Sequence, residues 1–160
     1  MSVAISRNDE FVVSGSRDRT VRMWDMATGE LLRELKSHGD RVESVVVSPD
    51  CQHVGSVSRA GELWIWTKDG VIEHKLECLA TKGPYDLAFS TDGRRILCNV
   101  NRTEWTTAGH RLFPSDTDND TGDTGDTLSV AYSLDGREIV YGRQDGKVII
   151  WNRILIRHTY

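Results

Sequence analysis

The chain has 160 residues, of which 38% are hydrophobic and 28% charged, and its formal net charge is −4 at pH 7. This length suits one domain that buries roughly 70% of the surface of its unfolded chain, and the composition excludes a wholly disordered protein. The small acidic excess argues against a broad basic surface for a phosphate backbone, so we predict no nucleic-acid partner. No run of about 20 uncharged apolar residues occurs, so we also predict no membrane partner.

The predicted elements are short strands, because apolar and polar residues alternate, or Val, Ile and Trp dominate, between four-residue turns rich in Asp, Ser, Asn and Gly. No window shows a helical stripe, and the predicted fold class is therefore all-β. In chain order we predict strands at 2–6, 10–16, 20–25 and 30–35, then at 42–48, 53–58, 62–67 and 71–76, then at 85–90, 95–100, 103–108 and 110–113, and finally at 127–133, 138–143, 147–152 and 154–159.

An apolar block that ends in serine recurs along the chain at intervals of 42, 42 and 43 residues. It reads MSVAIS at 1–6, ESVVVS at 43–48, YDLAFS at 85–90 and LSVAYS at 128–133. A second block keeps the same phase and places Trp24, Trp66 and Trp151 at equivalent positions. A fixed period of this size indicates a repeat architecture, and four strands per unit are typical of a propeller blade.

The Trp24–Asp25 dipeptide lies in VVSGSRDRTVRMWDMATGELLRELKSHGDRVESVVVSPD, a segment that is similar to the consensus of the WD-repeat family. The resemblance covers nearly the whole chain and is weak only in the third unit. It implies a β-propeller built from four-stranded antiparallel blades. The blades are predicted at 1–36, 37–77, 78–114 and 127–160, with an acidic loop at 115–126 between the last two.

In the WD-repeat family a His, a Ser or Thr, an Asp and a Trp form a buried hydrogen-bonded set within a blade. The resemblance therefore implies a structural role for the matching residues of this chain, which are Ser14, Asp18, Trp24, His38, Ser56, Trp66, Asp145 and Trp151. No blade holds the full set, since Ala60 stands at the aspartate position of the second. A hydrolytic triad of His38, Asp18 and Ser14 would match in residue type only, and residue type does not define such a site.

The geometry of the family also brings the loops between strands b and c, and between blades, to one end of the central channel. The resemblance thus implies a partner-binding face there, formed by Arg17, Arg59, Asn101 and Gln144 together with Asp40, Arg41, Glu43 and Tyr85. Arg and Tyr among mixed charges are typical of protein-binding surfaces. A purely solvated role for these side chains remains open.

We predict a non-catalytic scaffold for protein–protein interaction, without a cofactor or a metal. The alternatives are a propeller-based enzyme and a weak cation-binding module. No phosphate-binding loop or nucleophile elbow occurs, and the five histidines have no metal-ligand spacing. The acidic tract SDTDNDTGDTGD lacks the glycine and glutamate of a calcium loop. Three cysteines without C-x-x-C spacing suit reduced thiols, and we predict a cytoplasmic protein.

Four blades would leave two end faces uncovered, because blades of this kind bury their flat faces only against neighbouring blades. The family's propellers generally close with about seven or eight blades, within the range of propellers as a class. We therefore expect a homodimer that joins two chains into an eight-bladed ring. The other solutions are an excised piece of a longer repeat protein and a four-bladed ring that closes alone.

Overall fold

The computed structural model describes residues 1–36, 38–78, 85–99, 103–112 and 127–152, and all regular structure in these ranges is β. None of these residues belongs to a helix that could span a bilayer. The fifteen strands are β1 Ser2–Ile5, β2 Phe11–Gly15, β3 Thr20–Asp25, β4 Leu31–Lys36, β5 Val42–Val47, β6 His53–Ser58, β7 Glu62–Thr67, β8 Ile72–Glu77, β9 Leu87–Phe89, β10 Arg95–Cys98, β11 Thr103–Thr106, β12 Arg111–Leu112, β13 Thr127–Tyr132, β14 Glu138–Arg143 and β15 Val148–Asn152.

Strands that follow one another along the chain pair with each other, and every three or four of them form one antiparallel sheet. Sheet 1 contains β1–β4, sheet 2 contains β5–β8, sheet 3 contains β9–β12, and sheet 4 contains β13–β15 in the described part of the chain. The prediction of an all-β fold built from antiparallel sheets is confirmed. The predicted strand at 154–159 and the acidic loop at 115–126 lie outside the described residues.

The recurring serine closes the first turn of each repeat. The Ser48 hydroxyl donates to Asp50 Oδ1 at 2.5 Å and accepts from the amide N–H of His53 at 2.9 Å. Ser90 and Ser133 make the equivalent bonds with Asp92 and Asp135. Side chains of Ser and Asp that bond to nearby backbone in this way favour turns over continued strand. The local sequence therefore sets where the first strand of each sheet ends.

The sheets stack flat face against flat face, and each contact is a hydrophobic cluster. Val13, Val21 and Met23 pack with Val45 and Trp66 between sheets 1 and 2. Similar clusters join sheet 2 to sheet 3 and sheet 3 to sheet 4. The contact is close at Gly55, where a Cβ would lie 2.4 Å from Ile96 Cδ1, so a side chain there would require the Ile96 side chain to shift.

The described part of the chain forms an open arc. The first strands of successive sheets lie side by side, β1 with β5, β5 with β9 and β9 with β13, which places them along the inner edge of the arc. No hydrophobic cluster among the described residues joins sheet 4 back to sheet 1. Apolar side chains on the outer faces of both end sheets stay exposed, Val3 and Ile5 on one and Val148 and Ile150 on the other. The described residues therefore do not close into a four-bladed ring alone.

Candidate protein-binding face and the polar network behind it

A chain of hydrogen bonds links three of the predicted residues in sheet 2. The Trp66 indole N–H donates to Ser56 Oγ at 2.8 Å, and Ser56 Oγ lies 2.8 Å from His38 Nε2. The Glu62 carboxylate can only accept hydrogen bonds and lies 3.4 Å from His38 Nδ1, so we assign the Ser56 hydroxyl as the donor to His38 Nε2. This assignment leaves the imidazole proton on Nδ1.

Glu62 occupies the acceptor end of this chain, a role that the sequence reasoning missed. Its Oε2 accepts from the Gly39 amide at 2.8 Å and from the Ser58 hydroxyl at 3.1 Å, and lies 3.4 Å from His38 Nδ1. The carboxylate thus stands two residues beyond Ala60, where the family pattern places an aspartate. The available signal was an acidic residue at the start of the strand that carries Trp66.

Aromatic rings enclose the His38 imidazole. Its centroid lies 4.7 Å from that of the Trp64 ring, and the Trp64 and Trp66 rings are 5.4 Å apart. Lys75 Nζ sits 4.2 Å above the centroid of Trp64 on the same strand pair. Ser56 is fully buried and His38 nearly so, so a substrate cannot reach the serine hydroxyl. The Ser56–His38–Glu62 contact therefore serves packing and hydrogen bonding, despite its likeness in residue type to a catalytic triad.

The predicted network residues of sheet 1 make two kinds of contact, one between a tryptophan and a serine and one within a turn. The Trp24 indole donates to Ser14 Oγ at 2.9 Å, which repeats part of the sheet 2 arrangement in sheet 1. Asp18 instead braces its own turn, accepting from the Thr20 hydroxyl at 2.6 Å and the Thr20 amide at 3.0 Å. These bonds hold the pKa of the Asp18 carboxyl well below its usual range.

Asp145 braces the matching turn of sheet 4. It accepts from the Lys147 amide at 3.1 Å, and this bond lowers the pKa of the Asp145 carboxyl. Trp151 is half-buried against the cluster between sheets 3 and 4. The structure thus joins His38, Ser56 and Trp66 in one network, whereas Asp18 and Asp145 act at the turns.

The turns between the second and third strands of the sheets form one end of the arc. Arg17, Arg59 and Gln144 lie exposed on these turns. Backbone bonds hold neighbouring segments together there, from the Val42 amide to Ser16 O at 2.9 Å and from the Arg59 amide to Arg41 O at 2.8 Å. The first of these bonds joins sheet 1 to sheet 2, and the second extends the pairing of β5 with β6 within sheet 2.

The charged side chains around the start of β5 form hydrogen bonds within this segment. Asp40, Arg41 and Glu43 are half-buried. Arg41 Nε donates to Glu43 Oε1 at 2.6 Å, and the Arg41 amide donates to Asp40 Oδ1 at 2.7 Å. The side chains of Arg17 and Arg59, in contrast, form no ion pair with any residue that the structure describes. These two guanidinium groups are the unneutralised charges of the predicted face.

Tyr85 and Asn101 differ from the other members of the predicted face. Tyr85 is only 4% exposed and packs with Leu87, Ile96 and Cys98 between sheets 2 and 3, so its prediction as a partner contact is wrong. The prediction failed because the neighbouring sheet covers the tyrosine ring. This burial also raises the pKa of the phenol. Asn101 lies outside the described residues.

Asp86 is a second residue that the sequence reasoning missed. Its carboxylate accepts from the Ser44 hydroxyl at 3.2 Å, the Ser129 hydroxyl at 2.8 Å and the Val130 amide at 3.0 Å. It thereby bridges sheets 2, 3 and 4 at the inner edge of the arc. Serine stands at the equivalent position of the other three repeats, and that substitution within the repeat was the available signal.

No group of three or more His, Cys, Asp or Glu side chains in the described ranges is arranged to hold a metal ion. The exposed side chains at this end of the arc include the hydrogen-bonding groups of Arg17, Arg59 and Gln144.

Burial makes the stability of the network dependent on pH. Desolvation lowers the pKa of His38 below 6.5, although Glu62 acts in the opposite direction. As the pH falls below 6.5, the unfolded chain takes up the proton before the folded chain does, so stability decreases until the folded pKa is reached. We expect the free energy of unfolding to fall more steeply between pH 7 and pH 5 in the native protein than in His38→Gln. Urea unfolding at several pH values measures both slopes, and equal slopes would contradict the assignment.

The stacked four-stranded sheets and their common inner edge define a repeat protein of the β-propeller class. The fold is similar to that in the crystal structure of the computationally designed Ika4 protein, with a TM-score of 0.74 and 24% sequence identity. That match covers 94% of this chain and 89% of the designed chain.

The family model described as "WD domain, G-beta repeat" matches residues 1–25 and 29–67. The small ribosomal subunit protein RACK1y of Oryza sativa subsp. japonica is 28% identical over 148 residues, which cover 88% of this chain and 43% of that protein. The general transcriptional corepressor TUP1 of Saccharomyces cerevisiae is 46% identical over 48 residues, or 30% of this chain and 7% of that protein. These matches support the WD-repeat family for this chain, and the chain spans less than half the length of these curated relatives.

Proposed function

We propose that the chain is a non-catalytic scaffold that binds protein partners at the end of the arc carrying Arg17 and Arg59. The observation that carries the proposal is the contrast in charge pairing at this end. The carboxylate of Glu43 is already bonded to Arg41, whereas both exposed arginines have no ion pair among the described residues. The relatives of this chain include a general transcriptional corepressor and a small ribosomal subunit protein. Both names indicate proteins that act within larger assemblies.

The partner chemistry follows from the two arginines. A guanidinium group presents planar, paired N–H donors that match a carboxylate, and arginine is enriched among the residues that dominate binding energy. Gln144 adds a neutral donor and acceptor on the equivalent turn of sheet 4. A peptide segment with exposed Asp or Glu side chains therefore suits this face best.

A defined peptide array tests the face directly. The R17A/R59A double variant is expected to bind acidic peptides about tenfold more weakly than the native chain, because alanine removes more than about 1 kcal/mol where an arginine anchors a partner. The matched control is R7A/R94A. Arg7 and Arg94 are also exposed and form no ion pair with a described residue, but they lie on the turns at the opposite end of the strands. Unchanged affinity in the first variant, or an equal loss in the control, would overturn the assignment.

We also propose that this scaffold is half of a ring which a second copy of the chain completes. The exposed apolar outer faces of sheets 1 and 4 support self-assembly, because monomeric proteins rarely leave large apolar surfaces uncovered. A cytoplasmic location is part of the same proposal. It is supported by Cys51, Cys78 and Cys98, which are free and buried as expected in a reducing compartment.

A further inference from the structure

Equivalent positions of the first strands differ sharply in exposure between the end sheet and the inner sheets. Val45, Leu87 and Val130 occupy the same position of sheets 2, 3 and 4, and their exposed fractions are 2%, 3% and 6%. Val3 occupies this position in sheet 1 and is 70% exposed. The residue type hardly changes, so the difference arises because sheet 1 alone lacks a sheet packed on this face.

The third strands show the complementary pattern at the other end. Val21 and Leu63 are equivalent to Val148 by the repeat, and both are fully buried, whereas Val148 is 64% exposed. Ile150 is likewise 63% exposed, although its equivalents in sheets 1 and 2 are buried. In the part of the chain that the structure describes, this face of sheet 4 is therefore apolar and exposed in the same way as the outer face of sheet 1.

The internal contacts show which of these positions fit together. One cluster packs Val21 and Met23 of sheet 1 with Val45 of sheet 2. The next cluster packs Leu63 and Ile65 of sheet 2 with Leu87 of sheet 3. In both contacts, third-strand residues of one sheet meet a first-strand residue of the following sheet. The outer faces of sheets 4 and 1 thus carry the two halves of a contact that the chain already makes internally.

We propose that two copies pair head to tail, with Val148 and Ile150 of one copy packed on Val3 and Ile5 of the other. The inference rests on the proposed half-ring and names the surfaces that close it. A second copy is the occupant because it carries both complementary faces in the register of the internal contacts. The pairing occurs twice about one two-fold axis, so no apolar end face is left and an eight-bladed ring results. Trp24, now half-buried, becomes covered as its equivalent Trp66 already is.

A charge-swap experiment distinguishes head-to-tail pairing from other arrangements. The variants are V148E/I150E and V3K/I5K, and all four side chains are more than half exposed, so each variant should fold. Val71 is 61% exposed on the turn before β8 of sheet 2, which is not an end sheet, and V71E is the matched control. The molecular mass of each protein is measured by light scattering at micromolar concentration, and circular dichroism verifies the β-sheet content.

The native chain and V71E are expected at about twice the 18.0 kDa chain mass. Each double variant alone is expected at the chain mass, because either substitution damages both contacts of its homodimer. An equimolar mixture of the two is expected to recover the dimer mass, with one native contact and one Glu–Lys contact. Recovery also shows that both variants are folded.

Four results would overturn the head-to-tail ring. A native chain that remains at 18.0 kDa excludes the second copy. A double variant that still dimerises alone shows like-on-like pairing through its unmodified face, and a native mass that rises steadily with concentration shows an open filament. A mixture that stays monomeric also contradicts the pairing. The peptide-array experiment on Arg17 and Arg59 does not depend on dimer formation. Failure of the ring proposal therefore does not contradict the proposed partner-binding face.

Discussion

Replacing Ser56 with alanine is expected to lower the free energy of unfolding by about 2 to 4 kcal/mol. The change removes the hydroxyl that bonds both the Trp66 indole and the His38 imidazole. Both partners are buried, and each polar group left unpaired in the interior costs about 1 to 3 kcal/mol. Urea unfolding, followed by tryptophan fluorescence at one protein concentration, measures the loss.

Ser14→Ala is the matched control, because it removes the equivalent hydroxyl in sheet 1. There the Trp24 indole is the partner, and both residues are only half-buried, so water can replace part of the bond. We expect a loss of about 1 kcal/mol or less. The comparison is made in the V148E/I150E background, so that self-association does not cover Trp24. Equal losses at the two serines would show that the His38–Glu62 extension adds nothing.

Asp86→Ala is the second substitution with a large expected effect. It removes the acceptor shared by the Ser44 hydroxyl, the Ser129 hydroxyl and the Val130 amide, which connects three sheets. Hydrogen bonds to a charged group contribute about 1.5 to 3 kcal/mol each when well formed, and Asp86 is half-buried, so we expect a total loss of about 2 to 3 kcal/mol. Urea unfolding again provides the measurement.

Asp86→Ser separates the bridge from the simpler contact that the repeat already uses. In sheet 1, Ser2 Oγ accepts from the Val45 amide of the following sheet at 3.2 Å. A serine at position 86 can accept from the Val130 amide in the same way but cannot hold both neighbouring serines. We therefore expect about half of the loss seen with alanine. If the serine variant is as unstable as the alanine variant, the whole loss of stability arises from removal of the Asp86 charge.

The strands were predictable because their signals are local. Alternation with a period of two selects strand, and Ser48 and Asp50 close their turn through bonds within five residues of one another. The third sheet departs from the prediction, since β9 and β12 have only three and two residues where longer strands were expected. The chain preceding β9 differs from the other repeats, since Tyr85 packs as core and Asp86 bonds to sheets 2 and 4.

The site was predictable in part. Arg17, Arg59 and Gln144 lie exposed on equivalent turns, as expected from the phase of the repeat, and their contact with a partner stays a prediction. Tyr85 was misplaced because its exposure depends on the preceding sheet. Glu62 was missed because a carboxylate two residues from the expected position reaches His38 only through the folded geometry of the strand pair.

The amino-acid sequence alone determined the repeat, the all-β class and the approximate bounds of the strands, because these depend on side-chain alternation and turn chemistry within a few residues. Only the tertiary structure decided which carboxylates complete the polar networks and which tyrosine is buried. It also decided which apolar side chains of sheets 1 and 4 are exposed. These properties depend on contacts between residues that lie more than about 20 positions apart, where strand pairing and the stacking of sheets determine distance and burial.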